Sequence, residues 1–285
     1  KREKKMLEEK VQLRTKELEE QKKVVEKKNI SITDSIDYAK RIQEALLPPV
    51  EEIKKYLPES FVLYKPKDIV SGDFYWMHVL DEHQLLLAAA DCTGHGVPGA
   101  FMSIMGYNLL EQVVKEHRIS EPAMILNELT KLVVESLRQK DEHVTVEDGM
   151  DIAVCKINHQ SHELQYAGAH NALYMIRNGT LTETKADRRS IGMSIGISLK
   201  ESVRFSNHTI KLEKGDCCYL FTDGYADQKG GIKNKKLYYR SFQQLLIDIH
   251  PLSMDEQQQE LEKAFSEWKG DKEQLDDVLV IGVRL

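Results

Sequence analysis

The chain has 285 residues, of which 41% are apolar, and a formal net charge of −6 at pH 7. This length fits one large domain, or one domain of about 200 residues with an extension, and the apolar content is sufficient for a hydrophobic core. The acidic balance argues against general nucleic-acid binding, and no apolar run approaches the roughly 20 residues that a membrane-spanning helix needs.

The first 47 residues predict one long helix, because they contain neither Gly nor Pro before Pro48 and Pro49 end it. A stripe of apolar residues at steps of three, four and seven fits a heptad seam. So narrow a stripe does not stabilise a lone helix in water, and we expect a parallel homodimer through the first thirty residues. The alternative is a surface helix that packs on its own domain. The stripe comprises Leu7, Val11, Leu18, Val25, Ile32, Ile36, Ala39, Ile42 and Leu46.

The rest of the chain mixes strand and helix patterns. Groups of strands alternate with pairs of amphipathic helices, which predicts an α+β fold with two antiparallel sheets and a helix pair on each outer face. Strands are predicted near residues 61–65, 74–80, 84–90, 151–158, 164–167, 173–177, 202–211, 217–222 and 278–284. Helices are predicted near residues 98–117, 121–140, 238–249 and 253–268.

Aspartates stand at the edges of strand-like runs in four separate segments. The most informative is Asp91, which follows six apolar residues and precedes the loop Cys92–Gly96. Each segment alone is more commonly a turn or a solvated strand start. Brought together, the four carboxylates would form an oxygen-rich pocket for hard divalent cations, and the backbone carbonyl of Cys92 would add another oxygen. The four are Asp73, Asp91, Asp223 and Asp276.

These segments resemble a known family. The motifs are SGDFYW at residues 71–76, DCTGHGVPGA at residues 91–100, YAGAHN at residues 166–171, FTDG at residues 221–224 and DDV at residues 276–278. Together they are similar to the SpoIIE/RsbU-type branch of the PPM (PP2C-like) serine/threonine phosphatases. The resemblance covers roughly residues 36–285. Together with the helix that ends before Pro48, it predicts a phosphatase domain at residues 48–285, preceded by a helical coiled-coil stalk at residues 1–47.

The resemblance implies an αββα sandwich that holds two Mn²⁺ or Mg²⁺ ions in a cleft at one edge. It implies hydrolysis of phosphoserine or phosphothreonine by a water that the ions activate. Asp91 would bridge the two ions, and the Cys92 carbonyl would bind one of them. Asp223 and Asp276 would bind the other ion, with Asp73 as a direct or water-mediated ligand. The substrates of this branch are phosphorylated anti-sigma-factor antagonists with a STAS fold.

Two departures from the family pattern are visible. Ser71 replaces a second Gly, and Leu279 replaces a Thr that follows the paired aspartates, which removes a hydroxyl near the site. No arginine stands out as a phosphate ligand. His95 is a candidate catalytic residue that would donate a proton to the leaving group or orient a water. The alternative is a loop histidine that caps the next helix.

Cysteine usage favours a reducing compartment. Four cysteines are present without a CxxC pair, and Cys217 and Cys218 would point to opposite faces of one strand. With no signal peptide, we expect a cytoplasmic protein. The chain opens within a charged helix, so we expect an upstream sensor domain in a longer chain, with any membrane anchor of such a receptor outside this sequence.

We therefore expect a dimeric phosphatase regulated through its helical stalk, with a phosphorylated protein as substrate and no nucleic-acid partner. Two other classes remain open at this point. One is a catalytically silent dimeric signalling module, against which the four acidic positions argue. The other is a different two-metal phosphohydrolase, such as a nuclease or a nucleotide cyclase. The acidic domain and the absence of a glycine-rich lysine loop argue against that class.

Overall fold

The computed structural model describes residues 2–138, 148–192 and 204–285. Its first element, α1, spans Arg2–Leu46, and the end of this helix before Pro48 confirms the predicted long helix. Lys1–Ile42 form one compact unit and Gln43–Leu285 form another. The division into a stalk of residues 1–47 and a phosphatase domain of residues 48–285 stays a prediction.

Within the first unit, the apolar seam of α1 is exposed. The seam residues Leu7, Val11, Leu18, Val25 and Ile32 are each more than half accessible to solvent. Within the described residues of this unit, these five side chains are not covered, and the homodimer expected from the stripe stays a prediction. No helix in the described ranges combines the length and the apolar character that crossing a bilayer requires.

Two five-stranded antiparallel sheets form the centre of the second unit, within the part of the chain that the structure describes. One sheet contains, in spatial order, β1 (Ser60–Lys65), β12 (Val278–Arg284), β9 (Cys217–Phe221), β6 (Leu173–Arg177) and β7 (Thr180–Thr184). The other contains β2 (Phe74–Val79), β3 (Gln84–Cys92), β4 (Met150–Asn158), β5 (Glu163–Ala169) and β8 (His208–Lys211).

Helices cover the outer face of each sheet. The pair α3 (Gly96–Glu111) and α4 (Pro122–Arg138) packs on the sheet that contains β3, and a π-helical turn, Gln112–Glu116, extends α3. The pair α6 (Tyr239–Ile249) and α7 (Met254–Lys269) packs on the sheet that contains β9. The layers are therefore those of the predicted αββα sandwich.

Burial on both faces explains the continuous apolar runs of the central strands. In β3, Leu85, Leu87 and Ala89 face the other sheet, whereas Leu86 and Ala88 face α3 and α4. Side chains alternate between the faces of a strand, so a strand between two packed layers needs apolar residues at every position. The same alternation places Cys218 between the sheets and Cys217 under the outer helices, as predicted.

Several elements differ from the sequence prediction. The strand β3 continues through Asp91 and Cys92 instead of stopping before them, because both residues pair with β4. The strand predicted at residues 202–211 is limited to β8, and residues 202–203 of that range lie outside the described residues. The short elements α2 (Val50–Tyr56), α5 (Gly224–Asp227), β10 (Lys229–Gly230) and β11 (Lys235–Lys236) were not predicted.

Candidate metal centre

Three aspartates form a row across one sheet. Phe74 pairs with Ala90 in the register of β2 and β3, so Asp73 lies beside Asp91 at the next position. Asp91 in turn pairs directly with Asp151 of β4. Residues paired directly across antiparallel strands lie side by side on the same face. Hydrogen bonding within the sheet therefore fixes the spacing of these carboxylates.

The other sheet contributes two aspartates to the same edge. Asp223 directly precedes the short helix α5, two residues after β9 ends, and Asp276 lies two residues before β12 begins. The strands β9 and β12 are neighbours. Burial raises the pKa of Asp91 to about 8, and the negative charges of Asp223 and Asp276 are the next largest causes. The carboxylates of the two sheets therefore meet at one edge of the sandwich.

The pKa values of the neighbouring aspartates are raised for the same reasons. Burial, followed by the charges of Asp227 and Asp276, raises the pKa of Asp223 to about 6. Burial and the charge of Asp91 hold the pKa of Asp73 well above its usual range. Each carboxylate resists ionisation because it is removed from water beside others of the same sign. A bound divalent cation would reverse this cost.

Asp73 is held by neighbouring hydroxyl groups. The Thr222 hydroxyl donates to Asp73 Oδ2 at 2.6 Å and accepts from the backbone N–H of Leu279 at 3.1 Å. The Tyr64 hydroxyl donates to the Asp73 carbonyl at 3.0 Å. Leu279, where the sequence lacks a hydroxyl, packs in the core between the sheets.

Asp277 has a different task from its neighbour Asp276. Its Oδ1 accepts the backbone N–H of Lys67 and its Oδ2 accepts that of Gly72, both at 2.7 Å. Asp277 is 3% exposed, and both of its oxygens are therefore committed to the loop that carries Asp73. Gly224 approaches the Asp277 carbonyl so closely that a Cβ would stand 1.9 Å from its oxygen. These contacts leave Asp276 as the member of the pair that is available for coordination.

The Cys92 carbonyl lies beside the same loop. A Cβ added to Gly72 would stand 3.2 Å from the Cys92 oxygen and 2.5 Å from the Gly94 oxygen. Only glycine permits this approach between the two loops. The Cys92 side chain is buried, and burial raises the pKa of its thiol well above the usual range. Cys92 therefore has a carbonyl oxygen to offer at the site and an inert thiol in the core.

Gln43 fixes the loop from the opposite side. This residue belongs to the last turn of α1 and is 4% exposed. Its Nε2 donates to the Ser71 carbonyl at 2.6 Å and to the Ser103 hydroxyl at 2.7 Å. The backbone N–H of Ser71 donates to Gln43 Oε1 at 3.0 Å. The loop before Asp73 is therefore tied to α1 and to α3.

His95 lies at the rim of the site. It precedes α3, but its side chain makes no capping hydrogen bond with that helix. Its Nδ1 instead lies 2.8 Å from Asp68 Oδ2, and both side chains are about half exposed. The positive charge of His95 is among the causes that oppose the rise in the pKa of Asp276, a rise due first to burial. His95 is thus close to the acidic edge, and the contact between its Nδ1 and Asp68 orients the imidazole ring.

The donor set fits hard divalent cations. It consists of carboxylate oxygens and a backbone carbonyl, the groups that Mg²⁺ and Mn²⁺ prefer. Oδ1 of Asp151 is buried without a hydrogen-bond partner in the described structure. No three His, Cys, Asp or Glu side chains in the described ranges already enclose a position for one ion. Mg²⁺ usually keeps several waters, and a site that supplies few side chains to each ion agrees with that habit.

The structure places the predicted residues at or near one edge of the sandwich, and their roles as ligands or catalysts stay predictions: Asp73, Asp91, Cys92, Asp223, Asp276 and His95. Sequence reasoning missed Asp151, Thr222 and Asp68. Asp151 gives a weak signal, since it is a charged residue near the start of an otherwise apolar strand. The other two are recognisable only from contacts between segments distant in sequence.

A cavity of about 450 Å³ lies at the far end of α3, where Pro48, Tyr107 and Glu111 are among its lining residues. Glu111 is already paired there, because Trp76 Nε1 donates to it at 2.7 Å and Lys115 forms an ion pair with it. The acidic edge gathers several unpaired carboxylates instead. The chemistry of the donors, and not the volume of a cavity, therefore locates the candidate site.

Two packed antiparallel sheets, outer helix pairs and an acidic edge define the PP2C-like class. The SiaA-PP2C domain of Pseudomonas aeruginosa has a similar structure, with a TM-score of 0.79 and 30% identity, covering 90% of this chain and 98% of that one. The SpoIIE phosphatase domain of Bacillus subtilis, solved with a fragment of its regulatory domain, has a TM-score of 0.63 and 19% identity, covering 80% and 63%.

The family model described as Stage II sporulation protein E (SpoIIE) matches residues 81–285, and the chain belongs to this family. Among curated proteins, it is similar to the phosphoserine phosphatase RsbU of Bacillus subtilis, with 26% identity over 200 residues, 69% of this chain and 54% of the relative. The phosphoserine phosphatase RsbP of the same organism is 25% identical over 198 residues, 67% and 45%. The chain thus spans about half the length of these relatives.

Proposed function

We propose that the chain is a metal-dependent protein phosphatase that hydrolyses phosphoserine or phosphothreonine. The observation that carries the proposal is the meeting of Asp91, Asp223 and Asp276 at one edge of the sandwich, where burial and mutual repulsion hold the pKa of Asp91 near 8. Such a cluster is costly to maintain in a folded protein without cations. The names of RsbU and RsbP supply the substrate class, phosphoserine.

In this proposal, the residues that would hold the ions are Asp91 in β3, the Cys92 carbonyl, Asp223 and Asp276. Thr222 directs the Asp73 carboxylate towards the site through its hydrogen bond to Oδ2. Two bound Mn²⁺ or Mg²⁺ ions would supply an activated water and neutralise the charge that develops on the phosphoryl group.

His95 is the proposed proton donor to the leaving Ser or Thr oxygen. Asp68 holds its Nδ1, which leaves Nε2 as the ring nitrogen that can face the substrate. A donor at this place would assist departure of an alkoxide, which is a poor leaving group in water. Asp68 is then a positioning residue for His95.

The proposal is tested by hydrolysis of a phosphoserine protein with and without Mn²⁺, comparing the wild type with Asp91→Asn and Asp223→Asn. We expect turnover that depends on Mn²⁺ and falls by at least about a hundredfold in either variant. Asp271→Asn, at an exposed position, is the matched control. Absent turnover would favour a catalytically silent signalling module. Turnover of a phosphodiester substrate in its place would favour another two-metal phosphohydrolase.

The proposed substrate is a phosphorylated STAS-domain protein of the anti-sigma-factor antagonist class. The two curated relatives are phosphoserine phosphatases, and the resemblance to their branch is what suggests this partner. Comparing turnover of a phosphorylated STAS domain with that of a short phosphoserine peptide tests the assignment. Equal kcat/KM for the two substrates would contradict recognition of the folded domain.

A homodimer through α1 is the proposed assembly. The exposed seam residues Leu7, Val11 and Leu18 provide the apolar stripe that a second copy would bury. An upstream sensor in a longer, cytoplasmic or membrane-anchored chain would act by changing the packing of this helix pair. Gln43, in the last turn of the same helix, holds the loop before Asp73 through Ser71.

This regulation is tested by fusing a dimeric coiled coil to α1 in successive helical phases. A register step rotates the helix by about 100° per residue, since an α-helix has about 3.6 residues per turn. We expect phosphatase rate and metal affinity to vary periodically with the phase. Constant values across one full turn of insertions would rule out control through α1.

A further inference from the structure

His170 extends the row of aspartates on β2, β3 and β4. Ile152 pairs with Ala169 in the register of β4 and β5, so His170 stands opposite Asp151 at the next position. Asp151 pairs with Asp91, and Asp91 lies beside Asp73. The edge of the sheet thus runs Asp73, Asp91, Asp151, His170 across four neighbouring strands. His170 is the member of this row that can carry a positive charge.

The backbone of His170 is held in an unfavourable conformation. Its φ is 57°, in the left-handed region that a residue with a side chain rarely adopts. Hydrogen bonds on both sides impose the turn: His170 N–H donates to the Asp187 carbonyl at 2.9 Å, and Asn171 N–H to the Ala169 carbonyl at 2.7 Å. The Tyr166 hydroxyl also donates to the Asn171 carbonyl at 2.6 Å. Strain that the surroundings enforce in this way is typical of functional positions.

The imidazole lies next to the acidic cluster and is exposed to solvent. Burial raises the pKa of Asp151, while a hydrogen bond from Ser190 and the charge of His170 oppose that rise. The ring is therefore close enough to Asp151 for its charge to be felt there. It stands at the end of the row and is accessible to a ligand from solvent.

Lys67, which follows β1 of the other sheet, acts on Asp276, and three further cations near this edge have partners. Lys236 pairs with Asp227 at 2.6 Å, the guanidinium of Arg189 stacks 4.2 Å above the Phe205 ring, and His95 is held by Asp68. A phosphate dianion that approaches several carboxylates needs a hydrogen-bond donor besides the ions. Within the row, His170 is the residue whose exposed side chain can donate a hydrogen bond.

We propose that His170 binds the phosphoryl group of the phosphoserine substrate by donating a hydrogen bond to a non-bridging phosphate oxygen. This inference rests on the proposed phosphatase function. It assigns the phosphate contact of the site to a histidine at the end of the acidic row, fixed by the turn after β5, and it accounts for the strained backbone at that position.

The test uses His170→Asn and His170→Gly in the whole chain. Asn tolerates the left-handed turn and Gly adopts it without strain, so both keep the backbone while removing the imidazole. We expect KM for a phosphoserine protein and Ki for inorganic phosphate to rise about tenfold or more in both variants. The affinity for Mn²⁺ should stay unchanged, and Tm should not fall in either variant. His83→Asn, at an exposed turn between β2 and β3, is the control.

A second readout does not depend on turnover. The contact between His170 and phosphate is followed through the imidazole ¹H–¹³C resonances of the Mg²⁺-loaded protein during titration with inorganic phosphate. The resonances of His170 should shift, while those of His83 should stay constant. Unchanged KM and Ki in both His170 variants, with no shift of its resonances, would overturn the assignment while wild-type turnover still supports a phosphatase. An inactive wild type would instead refute the proposed function.

Discussion

Gln43 and Ser71 are joined by two hydrogen bonds that use both ends of the glutamine side chain. Gln43 Nε2 donates to the Ser71 carbonyl at 2.6 Å, and Ser71 N–H donates to Gln43 Oε1 at 3.0 Å. Both residues are buried, and Asp73 follows Ser71 by two positions. The last turn of α1 therefore determines where the first aspartate of the acidic edge stands.

Replacing Gln43 tests this connection. Gln43→Ala leaves the buried N–H of Ser71 without its acceptor, and we expect the free energy of unfolding to fall by about 1–3 kcal/mol. Affinity for Mn²⁺ should also fall, because the loop that carries Asp73 is released. Denaturant unfolding and metal titration calorimetry measure the two effects. Gln258→Ala, which removes a glutamine hydrogen bond to the Val62 carbonyl, is the control that should leave metal affinity unchanged.

The raised pKa of Asp91 predicts how stability depends on pH. Because this pKa is about 8 in the folded protein and about 4 in an unfolded chain, the metal-free folded state retains a proton that the unfolded state releases between those pH values. The stability that this group contributes is therefore present at pH 4 and is lost as the pH rises towards 8. Tm of the metal-free protein should fall across this window.

Asp91→Asn removes the titrating group from that balance. In EDTA at pH 8, we expect the variant to be more stable than the wild type, with Tm higher by roughly 2–8 °C. Saturating Mn²⁺ should reverse the order, because only the wild type gains the stabilisation of a complete site. Thermal unfolding at pH 5 and pH 8 measures both comparisons. If the metal-free variant were less stable than the wild type at pH 8, the raised pKa of Asp91 and its destabilising effect at this pH would be contradicted.

Thr222→Val isolates the hydroxyl that holds Asp73. The change preserves shape but removes the donor to Asp73 Oδ2 and the acceptor of Leu279 N–H. We expect a loss of about 1–3 kcal/mol in unfolding free energy and a weaker affinity for Mn²⁺. Thr130→Val deletes a threonine hydroxyl that bonds to Leu126 within α4, and it should leave metal affinity intact. Equal metal affinities for the two variants would remove the proposed role of Thr222.

Leu18→Glu tests assembly through α1. A charge in the middle of an apolar seam must be desolvated in a dimer, so we expect the variant to be monomeric at concentrations where the wild type is dimeric. Gln12→Glu places the same charge off the seam and should leave the dimer intact. Sedimentation velocity distinguishes the two states. A Leu18→Glu protein that remains dimeric would show that α1 does not form the interface.

The sequence predicted elements well where one physical signal dominates. The strand predicted at residues 173–177 matches β6, and the turn that follows it contains Asn178 and Gly179, both of which adopt positive φ. The end of α1 follows from two consecutive prolines. Short elements such as α2 were missed, since a helix of seven residues shows too little periodicity to stand out.

In the candidate site, too, residues with a strong local sequence pattern were predicted and the others were missed. Asp91 was recognisable because a carboxylate at the end of an apolar strand is unusual within a short stretch of chain. Asp151 was missed because its importance depends on the pairing of β4 with β3, and no local pattern encodes register between strands that are separated by two helices. Gln43 was likewise invisible, since a glutamine in a polar helix has no local sign of a buried partner.

Donors at the acidic edge come from both halves of the sandwich: Asp73 and Asp91 from one sheet, Asp223 and Asp276 from the other. Neighbouring carboxylates within a sheet are held at fixed spacing by strand pairing, whereas the two sheets pack through an apolar core and are joined at the edge by side-chain hydrogen bonds such as that from Thr222 to Asp73. A small shear of one layer over the other would change the distances across the site without breaking a single strand pairing. If the edge binds ions as proposed, their affinity should therefore depend on how the two layers are aligned.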